Sequence, residues 1–221
     1  MQRYSKGLCW LVSTQGKDGG WGQGGGETSY VRQGERLESN GNDVANTAVV
    51  AEALLHTGTT ATRGEYREPL GRAVDFVLKQ VEQSKADGLA VTDLQGTQIQ
   101  RKLGPFIDTF LASKLLAEID GTMGSPQANA RVRQGLQKCV AKIEKHQLKD
   151  GSWNIAGGWA PILGTSMASQ SLAIAQAKGA ANPQVAIEKV VAYSKAPPPA
   201  TPGSGGALSA ATDPGPIPRI L

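Results

Sequence analysis

Apolar positions along the chain fall into seven runs with helical periodicity, separated by polar gaps that are alternately long and short. Residues 2–14 place Leu8, Leu11 and Val12 on one face with Tyr4 a turn earlier, which predicts an amphipathic helix. Residues 44–57 are apolar on most sides, a pattern that predicts burial all round, and Asp43 or Asn42 stands where an N-cap is expected. Residues 66–83 return to one apolar stripe (Leu70, Val74, Val77, Leu78, Val81), and residues 105–119 form a second mostly apolar run with proline at its first turn. The alternation continues with an amphipathic helix at 126–147 (Val132, Leu136, Cys139, Val140, Ile143), an apolar one at 162–178 and an amphipathic one at 183–194. Within the link 84–104, residues 89–92 and 97–99 are predicted to pair as a weak hairpin. From residue 196 to 221 the composition turns to Pro, Gly, Ala and Ser, which cannot build a core and predicts an extended tail behind a helical domain at 1–195.

The loops repeat as well as the helices. Gln15, Asp18, Gly19 and Trp21 recur at identical offsets as Gln147, Asp150, Gly151 and Trp153. A degenerate middle copy has Gln83, Asp87 and Gly88, with Ala90 in place of the Trp. The apolar helices align too: Thr47, Thr109 and Thr165 are each followed seven residues later by a leucine, at Leu54, Leu116 and Leu172. The unit is an amphipathic helix, a Gln…Asp-Gly loop and an apolar helix, repeated three times at about 60 to 68 residues with one extra helix. The motif residues suit a structural role. A Gln side chain satisfies open carbonyls at a helix end, Gly adopts positive φ, and Trp packs across neighbouring helices.

With Lys6-Gly7, Trp10-Leu11, Gln15 and Gly19-x-Trp21, the first copy resembles the QW motif of the prenyltransferase and squalene/oxidosqualene cyclase repeat family. The second keeps Gln147, Gly151 and Trp153 but has Lys142-Ile143 where the aromatic-Leu pair would stand. The resemblance spans about residues 2 to 195 and implies an all-α fold, an α/α toroid with amphipathic helices outside and apolar helices lining the centre. About three and a half helical hairpins are present where such a toroid has about six, so an incomplete ring is expected. Cyclases of this resemblance use an Asp-x-Asp-Asp acid, whereas the closest aspartates here, Asp87 and Asp93, are six apart. The aromatic lining that a carbocation requires is reduced to Phe106, Phe110 and Trp159. Prenyltransferases of this resemblance hold zinc through Asp, Cys and His, but His56 and His146 have no cysteine at ligand spacing. No cofactor or metal is expected, and the reading leans away from an enzyme.

Composition narrows this further. A formal charge of +4 on 221 residues is mild, and the tail carries only Asp213 and Arg219, so the excess lies in the helical body. No aromatics interleave with it, which disfavours nucleic acid. Cys9 and Cys139 lie on helices leading into motif copies and are expected as buried free thiols, a disulfide between neighbouring helices being the alternative. No run reaches the roughly 18 apolar residues of a membrane span, and Arg3 and Lys6 make residues 1–12 too polar for a signal peptide, which leaves the compartment open. The glycines at 19–26 lack a preceding strand and a following Lys-Ser/Thr, so they are not a phosphate loop.

Three sets of residues remain as candidate sites. Asp43, Asp108, Thr109, Trp159 and Thr165 sit at or near the starts of apolar helices, where they either cap those helices or face a central cavity. Ser166, His56 and Asp108 can be written as a triad, without local support. Arg131, Lys138, Lys142, Lys145 and Lys149 follow spacings of seven, four, three and four, a basic stripe that is either solvated or docks an acidic protein surface or anionic lipid. The links 22–41, 84–104 and 148–161 are long and share one end of the array, where binding is expected. The expected function is a non-catalytic binding or scaffolding subunit of a larger assembly, using that end and the tail. The alternatives are a lipid- or terpenoid-handling enzyme or a fragment of one, and a polysaccharide-active enzyme with Asp43 and Asp108 as paired carboxylates.

Overall fold

The computed structural model describes residues 2–22, 31–32, 35–36, 41–153, 155 and 161–195. Eight helices are present among them: α1 (Gln2–Ser13), α2 (Val44–Leu55), α3 (Arg67–Gln83), α4 (Gln98–Leu103), α5 (Ile107–Ile119), α6 (Pro126–Lys145), α7 (Pro161–Ala177) and α8 (Gln184–Lys195). The fold is all-α. A two-residue hairpin of β1 (Val31–Arg32) and β2 (Glu35–Arg36), paired Val31 to Arg36, interrupts the first long link. The seven expected helices end within two residues of their predicted bounds. Connector residues 23–30, 33–34 and 37–40, Trp159 and the tail at 196–221 lie outside the described residues.

The apolar helices form one layer. α5 packs between α2 and α7, and 11 of its 13 residues are buried. The amphipathic helices form the other layer, α3 against α2, α6 against α5 and α3, and α8 against α7. Leu70, Val77, Leu115, Leu136 and Leu172 are fully buried where the layers meet. Gly135 allows α6 to approach α3, since a Cβ there would stand 2.7 Å from Leu78 Cδ2. Helix starts are set locally. Asp43 accepts from Asn46 N at 2.7 Å, and Ser125 accepts from Ala128 N at 3.1 Å ahead of Pro126.

Two expectations need correction. The predicted hairpin over 89–92 and 97–99 does not form. Thr97 Oγ1 accepts from Gln100 N and Gln100 Oε1 accepts from Thr97 N, both at 3.2 Å, and this reciprocal cap starts α4 instead. Both cysteines are free, but only Cys139 is buried, its thiol pushed up to about 12 by burial. Cys9 is exposed, since among residues 6–13 of α1 Leu8, Leu11 and Val12 are the ones partly covered.

Candidate functional site: the connector end of the array

The motif copies are clasps between successive outer helices. Gln15 Nε2 donates to Gly19 O at 2.8 Å and to Pro69 O, in the first turn of α3, at 2.9 Å. Gln147 Nε2 donates to Gly151 O at 3.0 Å and to Ala186 O, in the first turn of α8, at 2.8 Å. The glutamine therefore ties its own loop to the start of the next outer helix and does not serve the end of its own. Asp18 and Asp150 accept from the backbone N–H two residues on, at 3.0 and 2.9 Å, closing the turn. Gly19 and Gly151 have φ of 92° and 89°, and a Cβ on either would overlap a carbonyl of the next outer helix, Arg72 O or Lys189 O. Trp21 and Trp153, each 4% exposed, send Nε1 to Leu11 O and Ile143 O at 2.7 Å, and their backbone N–H groups to Thr47 Oγ1 and Thr165 Oγ1 at 2.8 and 3.2 Å. Each indole bridges a connector to the outer helix before it.

The middle copy is joined differently. Ala90 has no indole, and Gln83 is exposed. The basic stripe of α6 takes over. Arg131 donates to Glu82 at 2.6 and 2.9 Å and to Asp75 at 2.6 Å, and Lys138 Nζ to Glu82 O at 2.9 Å and Ser84 O at 2.8 Å. Lys142 Nζ donates to Lys85 O, to Gly88 O at 2.7 Å and to Ala90 O at 3.2 Å, while Lys145 meets Asp87 at 3.1 Å. Lys142 is 3% exposed, and burial, reinforced by Lys138, lowers its pKa. Hydrogen bonds from Arg131 hold Glu82 below the usual carboxylate range. The stripe expected to be solvated or to dock a partner thus has four of its five members paired within the chain: Lys142 is buried, Arg131 and Lys138 are half-buried, and Lys145 pairs with Asp87 at the surface, while Lys138 and Lys142 take up carbonyls at the start of the middle connector. Lys149 alone is an exposed residue beyond the helix.

A cavity of about 400 Å³ lies at this connector end. One wall is α3 (Phe76, Gln80, Gln83), a second is the middle connector between 84 and 94, and the third is the first clasp loop at Asp18 with the start of α2 at Asn42, Asp43 and Val44. Ala90 is in its lining, so the cavity lies between α3 and the connector whose indole is missing. Asn42 Nδ2 donates to Asp18 Oδ1 at 2.6 Å, while Asn42 Oδ1 is buried without a hydrogen-bond partner. Asp43 is 3% exposed and accepts from Asn46 Nδ2 at 2.7 Å as well as from its backbone, and burial raises its pKa. Asp93 and Lys85 complete the charged lining.

Of the residues expected at a central cavity, Asp43 reaches this one while capping α2. Thr109 does not: it is fully buried and donates to Leu89 O at 2.7 Å. Thr165 is buried on Trp153 N, and Asp108, 1% exposed, accepts from Ala45 N at 3.1 Å and Gln100 Nε2 at 2.8 Å. Burial, with the charge of Asp43 adding to it, pushes Asp108 up to about 6 against the opposing bond from Gln100. No hydrogen bond joins Ser166, His56 and Asp108 among the described residues, and the Ser166 hydroxyl meets Gln170. Between α2 and α5, Lys114 bridges Glu52 at 2.5 Å and, within α5, Glu118 at 3.0 Å. The described residues contain no cluster of three or more His, Cys, Asp or Glu able to hold a metal, and no helix long and apolar enough to cross a membrane.

Sequence reasoning missed the cavity, Gln100 and the inward course of Lys142. The signal was present in Ala90, since a repeat that loses its largest side chain must fill the gap or leave it open. Comparison with family models, with curated proteins and with solved structures returns no match.

Proposed function

We propose that the chain is a non-catalytic binding subunit of a larger protein assembly, which engages its partner at the connector end, with the tail at 196–221 as a second contact. The observation that carries this reading is the cavity of about 400 Å³ between α3 and the middle connector. Its lining holds three carboxylates, Asp18, Asp43 and Asp93, against one amine, Lys85, and the buried acceptor Asn42 Oδ1 still lacks a donor. A basic side chain from a partner protein matches that excess of negative charge, and Phe76 and Leu94 suit its aliphatic stem. An acidic protein surface or an anionic lipid is disfavoured, since the stripe that would meet it is engaged within the chain.

The resemblance to QW-repeat toroids supports reading the two layers as an open arc of that architecture. A lipid- or terpenoid-handling enzyme of that kind requires an apolar inner surface and an accessible acid. The Glu52–Lys114–Glu118 ladder and the enclosed Asp108 weigh against both. A polysaccharide-active centre requires two carboxylates facing one groove, which the burial of Asp108 opposes.

Photo-crosslinking in producing cells tests the reading. A benzophenone residue at Asp93, on the cavity, is compared with one at Lys178, at the short-link end. A discrete protein adduct from position 93 alone, lost when Ala90→Trp fills the cavity, is the expected result. Equal labelling from both positions, or none from position 93, refutes it.

A further inference from the structure

The middle connector has lost the indole that anchors its counterparts, yet it forms one full wall of the cavity. Its support comes from behind. Lys142 lies outside the cavity lining, and its three acceptor carbonyls belong to Lys85, Gly88 and Ala90, all of which line it. Val91, the next residue of the wall, is fully buried. Two other groups help: Thr109 Oγ1 donates to Leu89 O at 2.7 Å and Gln100 Nε2 to Leu94 O at 2.9 Å. Those two hold single carbonyls, whereas the ammonium of Lys142 gathers three that are separated by five residues of chain. Three donors on one tetrahedral centre suit a turn of converging carbonyls, and no neutral side chain offers as many from one atom.

We propose that Lys142 is the positioning residue of the cavity, a strut that replaces the missing tryptophan by holding the connector from the following outer helix instead of the preceding one. In the flanking copies the indole fills the space between connector and outer helix. A strut from the far side fixes the same connector without entering that space, so the wall is ordered and the cavity stays open. The −5 position from the clasp glutamine carries this difference: it is Lys142 in the second copy and Trp10, half exposed, in the first. The proposal rests on the binding role of the cavity for its biological meaning, and its test is independent of any partner.

Amide hydrogen exchange is compared between the wild-type chain and Lys142→Met, which keeps the aliphatic stem and removes the donors. Exchange across 84–94 is expected to rise about tenfold or more while α5 and the Val132–Val140 core of α6 keep their protection. A second readout uses Val91→Cys in a Cys9→Ser background. That thiol is expected to react slowly with an aromatic disulfide reagent, and much faster when Lys142→Met is added. Lys142→Arg, which retains donors at the same position, is expected to recover part of the protection. Unchanged exchange in 84–94 overturns the proposal. So does exchange that rises everywhere in both Lys142→Met and the milder Lys142→Gln, because Lys142 would then be needed for the whole fold and not for the wall. Failure of the Asp93 crosslink with the wall behaving as expected would instead remove the binding role and leave the strut in place.

Discussion

The two clasped junctions, α1 to α3 and α6 to α8, and the unclasped junction, α3 to α6, join the same kind of helices by opposite means. A clasp is compact and short-range, made of one amide, one indole N–H and a glycine pressed against the next helix, with Asp18 or Asp150 closing its turn and, in the first copy, Arg72 donating to Gln15 Oε1. The middle junction is charged and spread over four basic side chains of α6. A buried indole in fixed geometry fills the space beside its connector, whereas long basic side chains reach the middle connector from a distance and leave a cavity on its other side. The cavity arises where the repeat is least faithful to itself.

The sharpest way to break this contrast is at the glycines. Gly151→Ala places a methyl on Lys189 O at positive φ and is expected to cost about 2–4 kcal/mol in chemical denaturation. Gly88→Ala, at the corresponding position of the middle copy, meets nothing nearer than 4.0 Å and is expected to cost less than about 0.5 kcal/mol. Equal costs would mean that the middle loop is clasped after all.

The next largest effect is on pH dependence. Asp108 occupies the position held by Asn46 and Gly164 in the other units, so only the middle unit buries a carboxyl there. Its folded pKa of about 6 lies above the ordinary 3.8, so the folded state retains the proton longer than the unfolded one. This contribution to stability is complete below pH 3.8 and is lost as pH rises to about 6. Melting curves of wild type and Asp108→Asn are expected to show the wild type losing relative stability across that window, with a constant difference above it. A constant difference throughout would show that Asp108 does not titrate there.

Trp153→Phe keeps one aromatic ring, deletes the bond to Ile143 O and leaves part of the indole volume empty, for an expected loss of about 2 kcal/mol that does not vary with salt. The smallest effect belongs to the charged junction. Arg131→Met is expected to cost less than about 1 kcal/mol, because its partners Asp75 and Glu82 are partly exposed, and to become smaller in 1 M salt, where screening extends over only about 3 Å. A salt-insensitive loss would indicate that packing of the arginine stem carries the junction.

Much of the fold is legible because helix boundaries obey local rules. The Asp43 and Ser125 caps, Pro126 and the 3.6-residue apolar stripes depend only on neighbours within a turn or two. The hairpin predicted over 89–92 and 97–99 fails for a local reason too, since the reciprocal bonds of Thr97 and Gln100 favour a helix start over strand pairing. The candidate site is less legible. Asp43 lies on the cavity, but its other walls come from segments 25 to 51 residues away, and nothing in the spacing of Lys142 distinguishes a solvated stripe from one that supports a connector.

The sequence by itself determined the alternation of apolar and amphipathic helices, the repeat of the Gln-Asp-Gly-Trp motif and its loss at Ala90, because these follow from periodicity and residue identity along the chain. Only the tertiary structure decided what the motif holds, that the basic stripe pairs within the chain, that Asp108 is enclosed and that a cavity opens beside Ala90. Those outcomes depend on which distant carbonyl, carboxylate or void each side chain meets once the two layers pack, and the chain order does not record those encounters.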